Sequence, residues 1–148
     1  MLVVQQHGDA LHVAAPAKIN VGLRLLDKRP NGYHDIESLV MAVSLADRLE
    51  AVPARGPQAT LSVRCDGADA PADASNLVLR AAGLLQQEYG CSRGARLTLT
   101  KRIPAQRGLG GGSSDAAATL VLLSRLWELG CTKADLVALA VRRRSIAG

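Results

Sequence analysis

The chain has 148 residues, 48% hydrophobic, 21% charged and only 2% aromatic, with a formal charge of +5 at pH 7. Those proportions suit one globular domain whose core is built from Leu, Val, Ile and Ala. They exclude a nucleic-acid binder, because the basic residues are scattered apart from Arg142-Arg143-Arg144 and no aromatics interleave with them, and a membrane partner, because no apolar run approaches the length of a spanning helix.

From the N-terminus, Met1 to Gln6 carries no basic segment followed by a long apolar one, so no signal peptide is predicted and the expected location is cytoplasmic. Leu11 to Ala14 and Ile19 to Leu26 read as two strands, with Pro16 interrupting the pairing between them. In the second, Ile19, Val21, Leu23 and Leu25 alternate with Asn20, Gly22 and Arg24, which predicts one buried face. Arg29-Pro30-Asn31-Gly32 is a turn. Ser38 to Leu45, Arg48 to Val52 and Ala59 to Cys65 read as further strands, followed by a polar loop over Asp66 to Ser75.

Asn76 to Tyr89 has helical spacing, with Leu77, Ala81, Leu84 and Leu85 on one face and Gly90 as its stop. Ala95 to Thr100 is strand-like, and a second helix is expected over Asp115 to Glu128, with Trp127 as a core anchor and a stop at Gly130. A third starts at Thr132, with Asp135 placed as a capping-box partner, and runs to about Arg142. Cys65, Cys91 and Cys131 are odd in number and far apart, which fits reduced thiols better than a zinc site or a disulfide framework. Strands followed by helix, strand, helix and helix indicate an α+β fold.

Between the Ala95–Thr100 strand and the second helix lies Pro104-Ala105-Gln106-Arg107-Gly108-Leu109-Gly110-Gly111-Gly112-Ser113-Ser114. Glycines let backbone N–H groups approach a ligand closely, and the first turn of a helix offers unpaired donors at the positive end of its dipole. The combination predicts a phosphate site, with Ser113 and Ser114 adding hydroxyls for phosphate oxygens or a metal ion. It is not a Walker loop, since no Gly-Lys-Ser/Thr follows, and the third glycine of a dinucleotide fingerprint is replaced by Ser113.

A second stretch, Ala15-Pro16-Ala17-Lys18-Ile19-Asn20, places a lysine beside a half-buried strand, where it could be a snorkelling side chain or a functional cation. Tyr33-His34 in a turn is by itself usually structural or simply exposed. His7 and His12 match no motif.

Pro-x-x-x-Gly-Leu-Gly-x-x-Ser-Ser-x-Ala-Ala, with Pro-Ala-Lys-Ile-Asn and Gly-Tyr-His, resembles the GHMP kinases. Within that family, the triple glycine before Ser-Ser-Asp-Ala-Ala is most similar to members acting on the diphosphocytidyl derivative of methylerythritol. The resemblance implies an N-terminal ATP-binding domain over 1–141, with a mixed or antiparallel sheet and helices mainly on one face, followed by an atypical basic tail over 142–148. It implies ATP and Mg²⁺ as cofactors. Pro104, Gly108, Leu109, Gly110, Gly111, Gly112, Ser113 and Ser114 would hold the triphosphate, with Ser114 near the metal, and Asn76 and Lys101 would border the adenine. Lys18 would sit beside the transferred phosphoryl group, while Asn20, Tyr33 and His34 would bind a small-molecule cytidine diphosphate derivative. Where the family has Gly-x-Asp-Val-Pro, whose aspartate serves as general base, this chain has Val141 to Gly148 and no Asp after Asp135. Such an ending reads as that of a truncated or frame-shifted product, with the family's C-terminal domain lying beyond it.

Overall fold

The computed structural model describes residues 2–56, 59–67 and 70–146, with the backbone alone for 143–146. Five strands form one sheet: β1 (Val4–His7), β2 (Ala10–Lys28), β3 (His34–Pro53), β4 (Leu61–Asp66) and β5 (Ala95–Thr100). Its order is β1-β2-β3-β5-β4, antiparallel except for the parallel β4–β5 pair, which the helix α1 (Leu77–Tyr89) connects. Helices α2 (Gly111–Leu126) and α3 (Lys133–Ile146) complete the α+β architecture. Among the described residues no helix is long and apolar enough to cross a membrane.

The core follows from period-two alternation on the strands meeting the apolar stripes of the helices. Leu11, Val13, Ala15 and Ala17 of β2, Leu49 and Ala51 of β3, Val63 of β4, and Ala95, Leu97 and Leu99 of β5 are buried. They meet Val78, Ala81, Ala82 and Leu85 of α1, and Ala116, Leu120, Leu122 and Leu123 of α2. The alternate strand residues, among them Ala14, Arg48, Arg96 and Ser62, are exposed or half-buried, so the helices cover one face. Trp127 is buried as expected, with its indole N–H donating to the Gly94 carbonyl at 3.4 Å.

Helix ends match local chemistry. Asn76 caps α1 by accepting from the Val78 N–H at 2.8 Å, and Gly90 ends it with a left-handed backbone. Thr132 and Asp135 exchange the bonds of a capping box at the start of α3. That helix continues past the expected end near Arg142, whose guanidinium donates to Glu88 at 2.8 Å. The remainder of the predicted tail, residues 147 and 148, and the side chains of 143–146 lie outside the described residues.

Three expectations are corrected. The two predicted strands around Pro16 are one strand, because a register irregularity absorbs the proline: Pro16 faces Ala46 and Lys18 faces Ala42, two residues of β2 against four of β3. The strands predicted over Ser38–Leu45 and Arg48–Val52 are likewise the single strand β3. The alternating face of Ile19, Val21, Leu23 and Leu25 is exposed, from 39% at Ile19 to 62% at Leu25. Beyond Ala17 the helical layer ends, and β2 and β3 pair with each other as a projecting two-stranded arm, so alternation there has no layer to face.

Candidate functional site

The glycine loop leaves β5 and enters α2 four residues earlier than the sequence predicts. Gly110, in the left-handed conformation at φ +71°, is the N-cap, and Gly111, Gly112 and Ser113 form the first turn. Glycine's poor helix propensity argued against a start here, but tertiary crowding requires it. A Cβ on Gly110 would lie 2.9 Å from Lys18 Cγ, one on Gly111 3.0 Å from Ile103 Cγ2, and one on Gly112 2.9 Å from Leu77 Cδ1. The first intrahelical bond runs from the Ser114 N–H to the Gly110 carbonyl at 2.9 Å. The helix has no side-chain cap and no acidic residue in its first turn. Its leading N–H groups therefore present unpaired donors at the positive end of the helix dipole.

These residues line a cleft of about 340 Å³. Pro104, Gly108, Leu109, Gly110, Gly111, Gly112, Ser113, Asn76 and Lys101, all predicted from sequence as nucleotide-binding, converge on this one concavity. Ser114, predicted beside a metal, instead lines a wider recess of about 1160 Å³ that runs past His12, Arg48, Glu50 and Thr98. That recess is larger, but the cleft formed by the glycines has the donors an anion needs.

Lys18 borders the loop. Its N–H donates to the Leu109 carbonyl at 2.9 Å, its stem lies against Gly110, and its ammonium donates to Asn20 Oδ1 at 3.3 Å. Lys18, Asn20 and the loop are thus brought together. Tyr33 and His34 are not in that group; they sit at the tip of the projecting arm. At ~3.3 Å per residue the tip lies up to about 30 Å along the strand from Lys18. Tyr33 is 75% exposed, and His34 Nδ1 donates to the Leu26 carbonyl at 3.1 Å.

Asn76 and Lys101 line the cleft with side chains already engaged. Asn76 Nδ2 donates to the Pro71 carbonyl at 2.5 Å while Oδ1 caps α1. The Lys101 ammonium donates to Asp47 Oδ2 at 2.5 Å and to Asp115 Oδ2 at 2.8 Å. Sequence reasoning missed this buried triad. Asp47 lies on the inward register shared with Leu49 and Ala51, and an acid on a core-facing period was the available signal.

Charge state follows from surroundings. Burial alone would raise the Asp47 carboxyl, but the Lys101 ammonium and the N–H groups of Arg102 and Ile103 hold it below its ordinary 3.8. For Lys101 the opposing effect of burial is outweighed by Asp115 and Asp47, and its pKa rises. Asp115 is pushed up to about 6 chiefly by burial, since Lys101 is shared with Asp47 and cannot fully compensate. Its Oδ1 is buried and has no hydrogen-bond partner among the described residues.

Metal chemistry has few donors here. Among the described residues no group of three or more His, Cys, Asp or Glu could hold an ion. A nucleotide triphosphate would find uncapped amides, a cradle that added Cβ atoms would fill, and a lysine stem packed against Gly110.

The family described as GHMP kinases N terminal domain matches residues 76–147. The chain is 43% identical over 132 residues to a 4-diphosphocytidyl-2-C-methyl-D-erythritol kinase of Geobacillus thermodenitrificans, covering 89% of this chain and 45% of that protein. It is 49% identical over 122 residues to the enzyme of the same name from Salinibacter ruber, covering 82% and 42%. A crystal structure of 4-(cytidine 5'-diphospho)-2C-methyl-D-erythritol kinase superposes with a TM-score of 0.73 at 40% identity, over 88% of this chain and 45% of that one. Homoserine kinase from Cytophaga hutchinsonii, at 21% identity and a TM-score of 0.70 over 95% and 42%, shares the fold. The chain thus spans less than half the length of the curated relatives it matches.

Proposed function

We infer that this chain, which belongs to the GHMP kinase family and carries its N-terminal domain, serves ATP-dependent phosphorylation of the 2-hydroxyl of 4-diphosphocytidyl-2-C-methyl-D-erythritol, in isoprenoid precursor biosynthesis in the cytoplasm. The observation carrying the reading is the seating of Lys18 on the glycine loop, through the Lys18 N–H to Leu109 bond and the stem against Gly110. It holds the lysine stem against Gly110, where a helix with uncapped leading amides begins. Phosphoryl transfer asks for this kind of positioning and charge stabilisation.

In this reading the amides of Gly110 to Ser113 hold the triphosphate, and the Ser113 hydroxyl offers the chain's own oxygen near it. Mg²⁺, when bound, would supply charge neutralisation on the phosphates, with the Ser114 hydroxyl as the chain's own group offered to it, and no step is assigned to it. Lys18 neutralises charge on the transferred group. Asn76 and Lys101 shape the adenine end of the cleft. Asn20 approaches the acceptor's hydroxyls, and Tyr33 and His34 meet its cytosine from the arm. Residues 1–141 act as the nucleotide-binding unit, with 142–148 as a basic extension.

A second reading, an ATP-binding module without catalysis, is favoured by one observation: after Ala140 the sequence reads Val141-Arg142-Arg143-Arg144, not the Gly-x-Asp-Val-Pro that carries the family's general base. Losing such a group costs about a hundred- to ten-thousand-fold in rate. Calorimetric titration of the folded chain with ATP–Mg²⁺, and separately with a cytidine diphosphate compound, tests the binding claim shared by both readings. Saturable binding of each is expected, and binding of neither would overturn it. Phosphoryl transfer by the purified 148-residue chain then distinguishes the enzyme from the module.

A further inference from the structure

We propose that Asp47 is a positioning residue for the phosphate loop, setting the height at which the leading amides of α2 face the cleft. The proposal rests on the phosphate-binding reading above. Asp47 lies on β3, entirely buried, and makes its bonds outside its own strand. Oδ1 accepts from the Arg102 N–H at 2.5 Å and the Ile103 N–H at 2.8 Å, the residues through which the chain leaves β5 for the loop. Oδ2 accepts from Lys101, whose ammonium also holds Asp115 in the first turns of α2. One carboxylate therefore grips three consecutive residues at the loop's entrance.

The grip is transmitted to the amides by packing. Ile103, anchored through its N–H, is buried directly beneath Gly111, and a Cβ on that glycine would fall 3.0 Å from Ile103 Cγ2 and 3.3 Å from Lys101 Nζ. Residues 104–108 are exposed, with Gln106 and Gly108 at positive φ, so this part of the loop is supported mainly from its ends. Its far end is tied by the Lys18 to Leu109 bond. An apolar residue at position 47 would leave two backbone donors without their acceptor and the Lys101 ammonium with Asp115 alone.

Charge and geometry predict opposite signs, which makes the proposal testable. By Coulomb's law alone, removing a carboxylate near an anion site tightens anion binding. By positioning, removing the anchor weakens it. The assay is calorimetric binding of inorganic tripolyphosphate to the full chain at fixed salt, with melting curves confirming that each variant is folded. Asp47→Ala is expected to bind at least about tenfold more weakly than wild type, the scale of a displacement on the order of an ångström. Asp47→Asn keeps an oxygen that accepts both N–H groups and should restore affinity to within about threefold, although it carries no charge. If Asp47→Ala does not fold, Asp47→Ser, too short to reach both donors, takes its place with the same expected loss. Equal or tighter binding by folded Asp47→Ala or Asp47→Ser, or equal weakening by Asp47→Asn, overturns the proposal. Absence of binding by wild type would instead remove the phosphate-site reading.

Discussion

Replacing Gly110 by alanine, with Gly108 as its control, isolates the contact between Lys18 and the phosphate loop. Both glycines hold nearly the same left-handed backbone, φ +71° and +70°. An alanine at either position therefore meets the same strain, about 1–2 kcal/mol, offset by roughly 0.5 kcal/mol from a less flexible unfolded chain. Their surroundings differ. A Cβ at 108 has nothing within 4 Å, whereas one at 110 would lie 2.9 Å from Lys18 Cγ and 3.4 Å from Cε. The lysine stem must then leave its rotamer, at a further cost of about 1 kcal/mol. At roughly 3 °C per kcal/mol for a domain of this size, Gly108→Ala should lower Tm by about 3 °C and Gly110→Ala by about 6 °C. Binding should separate them further. Displacing the ammonium removes a charge-assisted contact worth about 1.5–3 kcal/mol, so Gly110→Ala loses roughly ten- to a hundredfold in tripolyphosphate affinity while Gly108→Ala stays close to wild type. Differential scanning fluorimetry and calorimetric titration measure the two quantities. Equal melting and equal affinity in the two variants would refute the placement of Lys18 on the loop.

Asp115, with its carboxyl raised to about 6 from 3.8, contributes stability that is fully present below pH 3.8 and lost as pH rises through about 6, amounting to about 3 kcal/mol. Asp115→Asn should therefore gain stability relative to wild type between pH 5 and 7.5 in urea titrations, and parallel curves would contradict the burial argument. Trp127→Ala empties a buried core position and should cost about 3–5 kcal/mol, read from the urea midpoint. Tyr33→Ala at the exposed arm tip should leave stability within about 0.5 kcal/mol and ATP binding unchanged. If its ring stacks on cytosine, a cytidine diphosphate compound loses about 1–3 kcal/mol of affinity, and unchanged affinity would detach the tip from the acceptor site.

Local chemistry made much of this molecule legible. Asn76 and Gly90 bounded α1, Thr132 and Asp135 announced α3, and Trp127 declared itself a core residue, because caps and large apolar groups act over a few residues of chain. The glycine loop was legible for the same reason, and nine of the residues predicted around a nucleotide line one cleft. The start of α2 was not, because propensity argues against helix at Gly111 and Gly112 while Lys18, Ile103 and Leu77 leave room for nothing larger.

The sequence by itself determined most of which segments are strand or helix, and it singled out the glycine loop and Lys18, which the fold sets against each other. Only the tertiary structure decided that β2 outruns its helical cover, so that the same alternation is core at Val13 and surface at Leu23. It also decided that Lys101 would spend its charge on Asp47 and Asp115, partners 54 and 14 positions away in the chain. Periodicity records the face a residue takes, whereas burial and ion pairing depend on what lies opposite that face once distant segments have met.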